Sequence, residues 1–423
     1  MFTYNRNLLH RQWYSWKFAE DYIMFKSMAD SSGNLKVPTA WYSHSWSQNC
    51  SYNWHINYDW WTYTNYVWTW WTWSSKCITI ATWLTPNSEH IITIRTYDIL
   101  NNYWWALAFW RYNSSIADRL KEIIVDSTFL WFAVSETSTW NYFRRSQYYW
   151  CTNLINAYEE YLPATVLDTW TYFRCDQYHD CVSLVTPWTE SAPNSITEIK
   201  AHFREHQYDW CSSLTNSSVE VMPNTVTVIW DHFRWWQYRN CINITTAAAE
   251  VMPPNLVTIY EHFRCNQYEW CSNLVTLSDE VMPDTVTTIY TQFRLCQYRN
   301  CPKITRTAKE ALSSSISSIQ YHFRHQQYQW DTWITLVSWI QAPPASLNHN
   351  YCRYLQFDWA LNTTTPATVY VYWPIVETEQ WWNFWFTDAK ISVVYVPLSL
   401  LEAYKNSTDN MRKNISDSKF VWY

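Results

Sequence analysis

Three residue types with chemistry to offer recur at a spacing of thirty residues. Cysteine stands at Cys151, Cys181, Cys211, Cys241, Cys271 and Cys301, with Asp331 in the seventh place. Arginine stands at Arg144, Arg174, Arg204, Arg234, Arg264, Arg294 and Arg324, and histidine at His202, His232, His262 and His322. Thiols this far apart lack the short paired spacing of a zinc site. A column of reduced, inward-facing thiols is expected, with disulfides between neighbours as the alternative in an oxidising setting. Cys175, Cys265 and Cys296, in the variable part of each unit, are expected to be more exposed. The histidine places are shared with Tyr142, Tyr172 and Gln292. That favours a tolerant surface column over a metal-binding ladder, because ligand sites need fixed residues and supporting partners.

The arginines never vary. One reading is a basic stripe for sulfated or anionic glycans. The other is structural: the stem packs over tyrosine and the head pairs with glutamine or a carbonyl. Invariance favours the structural role, since solenoids bind through variable positions. The variable positions are the two between each Arg and the next Gln. A ligand face would therefore draw on Arg145, Glu205, His206, Trp235, Trp236, Asn266 and His325, and on the residues between Tyr and Cys. No nucleophile–base pair, phosphate loop or paired carboxylates recur. No catalytic residue, cofactor or metal ligand is assigned, and the chain is read as non-enzymatic.

The elements that must position these residues are set by the same period. Phe143, Phe173, Phe203, Phe233, Phe263, Phe293 and Phe323 precede the arginines, and a Gln-Tyr pair follows each, from Gln147-Tyr148 to Gln327-Tyr328. Prolines recur at Pro163, Pro193, Pro223, Pro253 and Pro283, and aliphatics at Leu154, Leu184, Leu214, Ile244, Leu274 and Ile304. Copies of fixed length without gaps are the mark of a solenoid. Two extended stretches per unit are expected, one before the Cys turn and one in the β-branched "TVTVI" or "TVTTI". The Phe and aliphatic columns would fill the core, and the Gln-Tyr column would form a polar and aromatic ladder.

Composition sets a puzzle. The chain has 34 Trp and one Gly among 423 residues, whereas Gly is ordinarily roughly 7% of a protein. The residue before each Cys is Trp150, Asp180, Trp210, Asn240, Trp270, Asn300 and Trp330. Asp and Asn tolerate left-handed backbone and Gly does so best, but Trp does not. A turn column of Gly, Asp and Asn is coherent; one of Trp, Asp and Asn is not. Likewise "TNYVWTWWTWSSK" (64–76) is a plain flexible linker once each Trp is taken as Gly. Most Trp are therefore expected to stand where the natural protein has Gly. Some bacteria and their viruses decode UGA as glycine, and a translation with the UGA-tryptophan code would write Trp. The alternative is a truly Trp-rich chain with aromatic platforms for glycans or bases.

The segment "CSNLVTLSDEVMPDTVTTI" (271–289) resembles the BspA-like leucine-rich repeat, C-x-x-L-x-x-x-x-[IV]-P-x-x-[VI]-T-x-I-G-x-x-A-F-x-x-C, over about 141–340. The period of 30 is longer than that family's usual unit, and its Gly after Ile is replaced by Trp140, Trp170, Lys200, Trp230, Tyr260, Tyr290 and Gln320. The resemblance implies a mainly β, leucine-rich-repeat-like solenoid with a binding or adhesion role at a bacterial surface.

Four regions are expected: a poorly packed leader and linker (1–78), a small β module or N-terminal cap (79–138), seven repeats (139–340), and a C-terminal β cap ending in a short helix (341–423). Pro397 can open that helix. A net charge of −6 and a pI near 6.1 argue against nucleic acid as a partner, and no apolar run is long enough for a membrane span. The expected partner is a surface protein or glycan of a host or neighbouring cell, met outside the cell. No signal peptide is visible, and a virion structural or receptor-binding component of a phage is the alternative. An enzyme carried on 1–138 would need catalytic residues that the sequence does not offer.

Overall fold

In a computed structural model the chain is mainly β, and its repeats stack as a solenoid. The structure describes residues 21–38, 41–42, 51–59, 62–69, 77–96, 106–107, 117–126, 138–139, 143–158, 166–187, 190–218, 220–341, 354–362, 364–372, 388–406 and 415–423. Equivalent residues of successive copies lie beside one another in register, thirty apart. Asp168 pairs with Glu198, Glu198 with Val228, and so on to Thr288 with Ser318, in a seven-stranded parallel sheet. Each strand is two residues long, and its second residue points inward: Ile199, Ile229, Ile259, Ile289 and Ile319 are fully buried. One turn earlier, the prolines accept from the residue three ahead. Val226 donates to Pro223 O at 3.2 Å and Val286 to Pro283 O at 3.2 Å, which drives the Val, Leu and Ile side chains of that column into the core. A second ladder joins Glu190, Glu220 and Glu250, and a third joins Glu280 and Glu310.

Aromatic stacking fills the interior. The Phe rings follow one another at 5.1 to 5.5 Å from Phe143 to Phe323, and the Tyr rings at 5.1 to 5.8 Å from Tyr148 to Tyr328. Offset stacks at these distances contribute beyond their buried area. Of the two extended stretches expected per unit, the one before the Cys is not extended: residues 171–180 and their counterparts are a run of tight turns.

The five-stranded antiparallel sheet before the solenoid runs Thr62–Thr69, Ser51–Tyr58, Glu89–Thr96, Asp21–Met28 and Leu120–Asp126. It joins strands on both sides of residue 78, so the region expected as a leader shares one sheet, and one core of Ile23, Phe25, Ile56, Ile92, Ile94 and Ile123, with the module expected at 79–138. Residues 1–20, and with them the start of that expected leader, lie outside the described residues. Its last strand meets the first coil. Asn156 spreads its amide along that strand, Nδ2 donating to Ile123 O at 3.0 Å and Oδ1 accepting from Ile123 N at 3.2 Å.

At the other end Leu336–Gln341, Ala367–Tyr372, Ile391–Val396 and Phe420–Trp422 form a parallel sheet. Pro397 precedes a turn and the short helix Leu401–Asn406, whose Tyr404 is buried. The repeat outlasts its expected limit at 340: "LQFDWA" (355–360) forms an eighth turn run on which Phe357 stacks under Tyr328 at 5.4 Å. Among the described residues no helix is long and apolar enough to cross a membrane.

Candidate functional site

The variable residues sit on the ribbon of tight turns. In the second copy, Tyr172, Arg174, Asp176 and Asp180 have φ of 61°, 52°, 54° and 60°. Alternate peptides serve different partners. Cys175, Gln177 and His179 donate back three residues, to Tyr172, Arg174 and Asp176 O. Asp176, Tyr178 and Asp180 donate to the next coil, at Glu205, Gln207 and Asp209 O, over 2.8 to 2.9 Å. Every backbone donor on this stretch is thereby satisfied without an extended strand. The turn column before the Cys has φ between 60° and 68° in all seven copies, whether the residue is Trp, Asp or Asn. That is the left-handed turn its Asn and Asp pointed to. The same geometry falls on the invariant arginines, at 51° to 56°, and nothing in residue type anticipates that.

The fixed columns are structural. Each Gln donates its Nε2 to the Oε1 of the Gln below, from Gln177 on Gln147 at 3.3 Å to Gln356 on Gln327 at 2.9 Å. From Cys181 to Cys301 each core Cys donates its thiol to the Tyr carbonyl of the preceding coil, as Cys181 to Tyr148 O at 3.0 Å and Cys271 to Tyr238 O at 3.1 Å. Burial pushes these thiols up, the Cys181 and Cys271 pKa values above the range of an ionisable thiol at neutral pH, so they are poor nucleophiles. The described cysteines are free. Cys175, Cys265 and Cys296 are buried too, contrary to expectation, because the ribbon folds their side chains between coils.

The arginines are almost wholly buried, so the basic-stripe reading fails for lack of access. Their guanidinium groups lie over the preceding Phe, 4.7 to 5.5 Å from its ring centre, rather than over Tyr. Arg144 Nη1 donates to Gln147 Oε1 at 2.9 Å. Burial and the neighbouring Arg174 pull Arg204 down to about 9. Arg294 and Arg324 both pair with the buried Glu280, Arg294 at 2.8 Å, and Arg324 also with Glu310 at 3.0 Å. These glutamates escaped the sequence reading although Glu160, Glu190, Glu220, Glu250, Glu280 and Glu310 are spaced by thirty.

The proposed face divides. Glu205 and Asn266 are buried, Glu205 with His202 Nδ1 at 2.6 Å and Asn266 donating to Glu269 Oε2 at 2.7 Å, so both brace the ribbon. Arg145, His206, Trp235, Trp236 and His325 are half-buried along its outer edge. Trp235 stacks on Trp236 at 4.3 Å, and Trp236 meets His206 edge-on at 4.7 Å. Arg145 lies over Tyr172 at 4.8 Å. His325 lies three coils beyond Trp235, its Nδ1 2.7 Å from that of His322. In the place directly after the Tyr a second, unanticipated ladder alternates in sign: Arg239 pairs with Asp209 at 2.6 Å, and Arg299 with Glu269. The alternation is legible at 209, 239, 269 and 299 once the coils are known to be adjacent.

The histidine column stacks, Tyr172 on His202 at 4.1 Å, His202 on His232 at 4.5 Å and His232 on His262 at 4.3 Å. Burial, with the charges of His262 and His202, lowers His232 to about 4. A second group of ligating side chains brings Asp176, His179 and His206 within 4.8 Å of one another. No protein-family model matches the chain, and no curated protein matches it.

Proposed function

We propose that the protein is a non-enzymatic binding or adhesion protein of the BspA-like leucine-rich-repeat kind, presenting its solenoid to a surface protein or glycan outside the cell. The observation that carries this reading is the partition within each coil. The fixed Phe, Arg, Gln, Tyr and Cys are buried, while Arg145, His206, Trp235, Trp236 and His325, at positions that change from copy to copy, are half-buried along the ribbon's outer edge, where a solenoid displays its specificity. The test is retention of the labelled chain on intact cells before and after protease or periodate treatment. Retention that falls with one treatment, and with Arg145→Glu combined with His325→Ala, supports the reading. Binding to no cell surface, or binding indifferent to both substitutions, ends it.

The proposal includes the coding of tryptophan: most Trp stand for Gly in the natural protein. Among the residues whose side chains are described no Trp belongs to the buried core, which is built from Phe, Tyr, Ile, Leu, Val, Met, Ala and Cys, although Trp is highly buried on average. Trp83 is 95% exposed at φ 66°, and Trp359 is 65% exposed at φ 58°. Indoles that fill no space and sit on left-handed backbone behave as replacements for a residue without a side chain. Trp170 and Trp230 support the reading less, since neither has a positive φ. Peptide masses of the natively expressed protein across 141–151 and 262–271 decide it. Masses for Gly at 150 and 270 uphold the reading, and masses for Trp overturn it.

A further inference from the structure

We propose that Asp176, His179 and His206 form a binding site for a divalent transition-metal ion, zinc by the nature of its donors, that ties the second coil of the solenoid to the third. The three side chains each offer one donor atom, and these atoms lie within 4.8 Å of one another. Asp176 and His206 are equivalent residues of adjacent coils, and so are His179 and Asp209. The pairing therefore makes a checkerboard, Asp beside His in one column and His beside Asp in the next. The other copies break it with Ser146 and Tyr149, Trp236 and Arg239, Asn266 and Glu269, Cys296 and Arg299, and Gln326 and Gln329.

Asp209 supplies the supporting contact that metal-binding histidines require. It is fully buried, its Oδ2 is 3.1 Å from His206 Nδ1 and 3.4 Å from His179 Nε2, and Arg239 holds it in place. With its Nδ1 proton given to Asp209, His206 is left in the tautomer whose Nε2 is a free donor, the usual carboxylate–histidine arrangement around zinc. The backbone is fixed at the same point by the inter-coil bonds Asp176 N to Glu205 O, Tyr178 N to Gln207 O and Asp180 N to Asp209 O. Two imidazoles and a carboxylate, all half-buried, match a zinc site with three protein ligands and one position open to water. Donors around tetrahedral zinc stand roughly 3.3 Å apart for bonds of about 2.0–2.1 Å, so rotation of these partly exposed side chains closes the set. None of the three ligands is a tryptophan position, although Trp236 packs against His206 at 4.7 Å, and the site needs no surface partner.

The experiment uses the full chain, freed of metal by chelator and titrated with Zn²⁺ and, for its visible spectrum, with Co²⁺. The expected result is one Zn²⁺ per chain, an intense tetrahedral Co²⁺ band, and a melting temperature that rises with Zn²⁺. His206→Ala and Asp176→Asn each weaken binding by on the order of 100-fold, while His262→Ala, in the stacked column outside the cluster, leaves it unchanged. Asp176→Asn is close in shape, and its folding is checked by circular dichroism, so it carries the test should His206→Ala unfold. Absence of Zn²⁺ uptake, or uptake equal in wild type and the folded Asp176→Asn variant, overturns the proposal.

Discussion

The turn ribbon and the short parallel strands stack through the same coils, but they hold their register by different chemistry. On the strand side, from Ile199 to Ile319, each coil adds two residues and one inward aliphatic side chain. Such a surface is permissive: any β-branched residue of about the right size fits. On the ribbon side each coil adds an amide, a thiol and a phenol ring partnered by the coil before or after it, and a guanidinium buried over its own Phe. A slip there would leave buried polar groups without partners, at roughly 1–3 kcal/mol each. The comparison teaches that the strands supply cohesion while the ribbon specifies the period of thirty.

The sharpest way to break that comparison is at adjacent residues of one strand, Glu280 and Val281. Glu280 is buried between Arg294 and Arg324, whereas Val281 is exposed. Glu280→Ala leaves two buried guanidinium groups short of a counter-charge and is expected to cost about 3–5 kcal/mol. Val281→Ala should stay within about 0.5 kcal/mol. Urea unfolding followed by circular dichroism measures both. Comparable losses would mean that the ion pairs carry no more than their backbone does.

A smaller effect separates the two sides directly. Gln237→Ala removes one rung of the amide ladder and orphans Gln207 Oε1 below it and Gln267 Nε2 above it. The expected cost is about 1–3 kcal/mol, against about 0.5–1.5 kcal/mol for Ile259→Val on the strand side. An Ile259→Val loss larger than that of Gln237→Ala would reverse the roles assigned to the two sides. The turn column supplies the next comparison. Trp270 and Asn300 share a left-handed backbone, at φ 65° and 62°. Trp270→Gly is expected to stabilise by about 1–2 kcal/mol, the strain of an L-residue in that conformation, and Asn300→Gly by less, since Asn tolerates it. Equal effects would show that the column's conformation costs nothing in this ribbon.

Much of the strand side was legible in the sequence. The "TVTVI" and "TVTTI" segments carry β-branched residues in the right place, and the Phe, Tyr, Cys and aliphatic columns follow from strict spacing. The Gln-Tyr ladder was legible too, because stacking puts like on like. The ribbon was not. Left-handed φ at Arg174 or His202 goes against residue preference, and only the bonds between coils make it favourable, so local propensity reads that stretch as extended. The glutamate column is regular at thirty residues but lies just before the proline, away from the Phe-to-Cys stretch that marks each copy. The eighth turn run hid behind a spacing of 29 and a Phe and Ala where Tyr and Cys were sought. The N-terminal sheet hid because Ser51–Tyr58 and Thr62–Thr69 are written in Trp, Tyr, Thr and Asn rather than in aliphatic alternation. Of the candidate face, half-buried His206 lay where a ligand could reach it. Its partners Asp176 and His179 were unreadable as a set, because stacking aligns residue 176 with 206 but does not say which variable side chains of neighbouring coils turn toward one another.

Acid provides the least disruptive test of the same contrast, because the strand side of the repeats has few groups that titrate while the ribbon stacks histidines. Burial, then the charges of His262 and His202, lowers His232 to about 4 against the opposing pull of Glu205 and Asp231. Burial, then His322 and Arg299, does the same to His325. A folded-state pKa below the unfolded value of about 6.5 means that the unfolded chain binds protons first. The stability these rings contribute is therefore complete above pH 6.5 and is lost as pH falls from there toward 4. Burial raises Glu205, but its hydrogen bond with His202 holds it below its ordinary value, so it stays charged through most of this window. Melting temperature should fall between pH 7 and pH 5, and His232→Gln should flatten that fall without altering the value at pH 7.5 by much. A slope unchanged by His232→Gln would move the acid sensitivity off the stacked column and leave the ribbon no more pH-responsive than the strands.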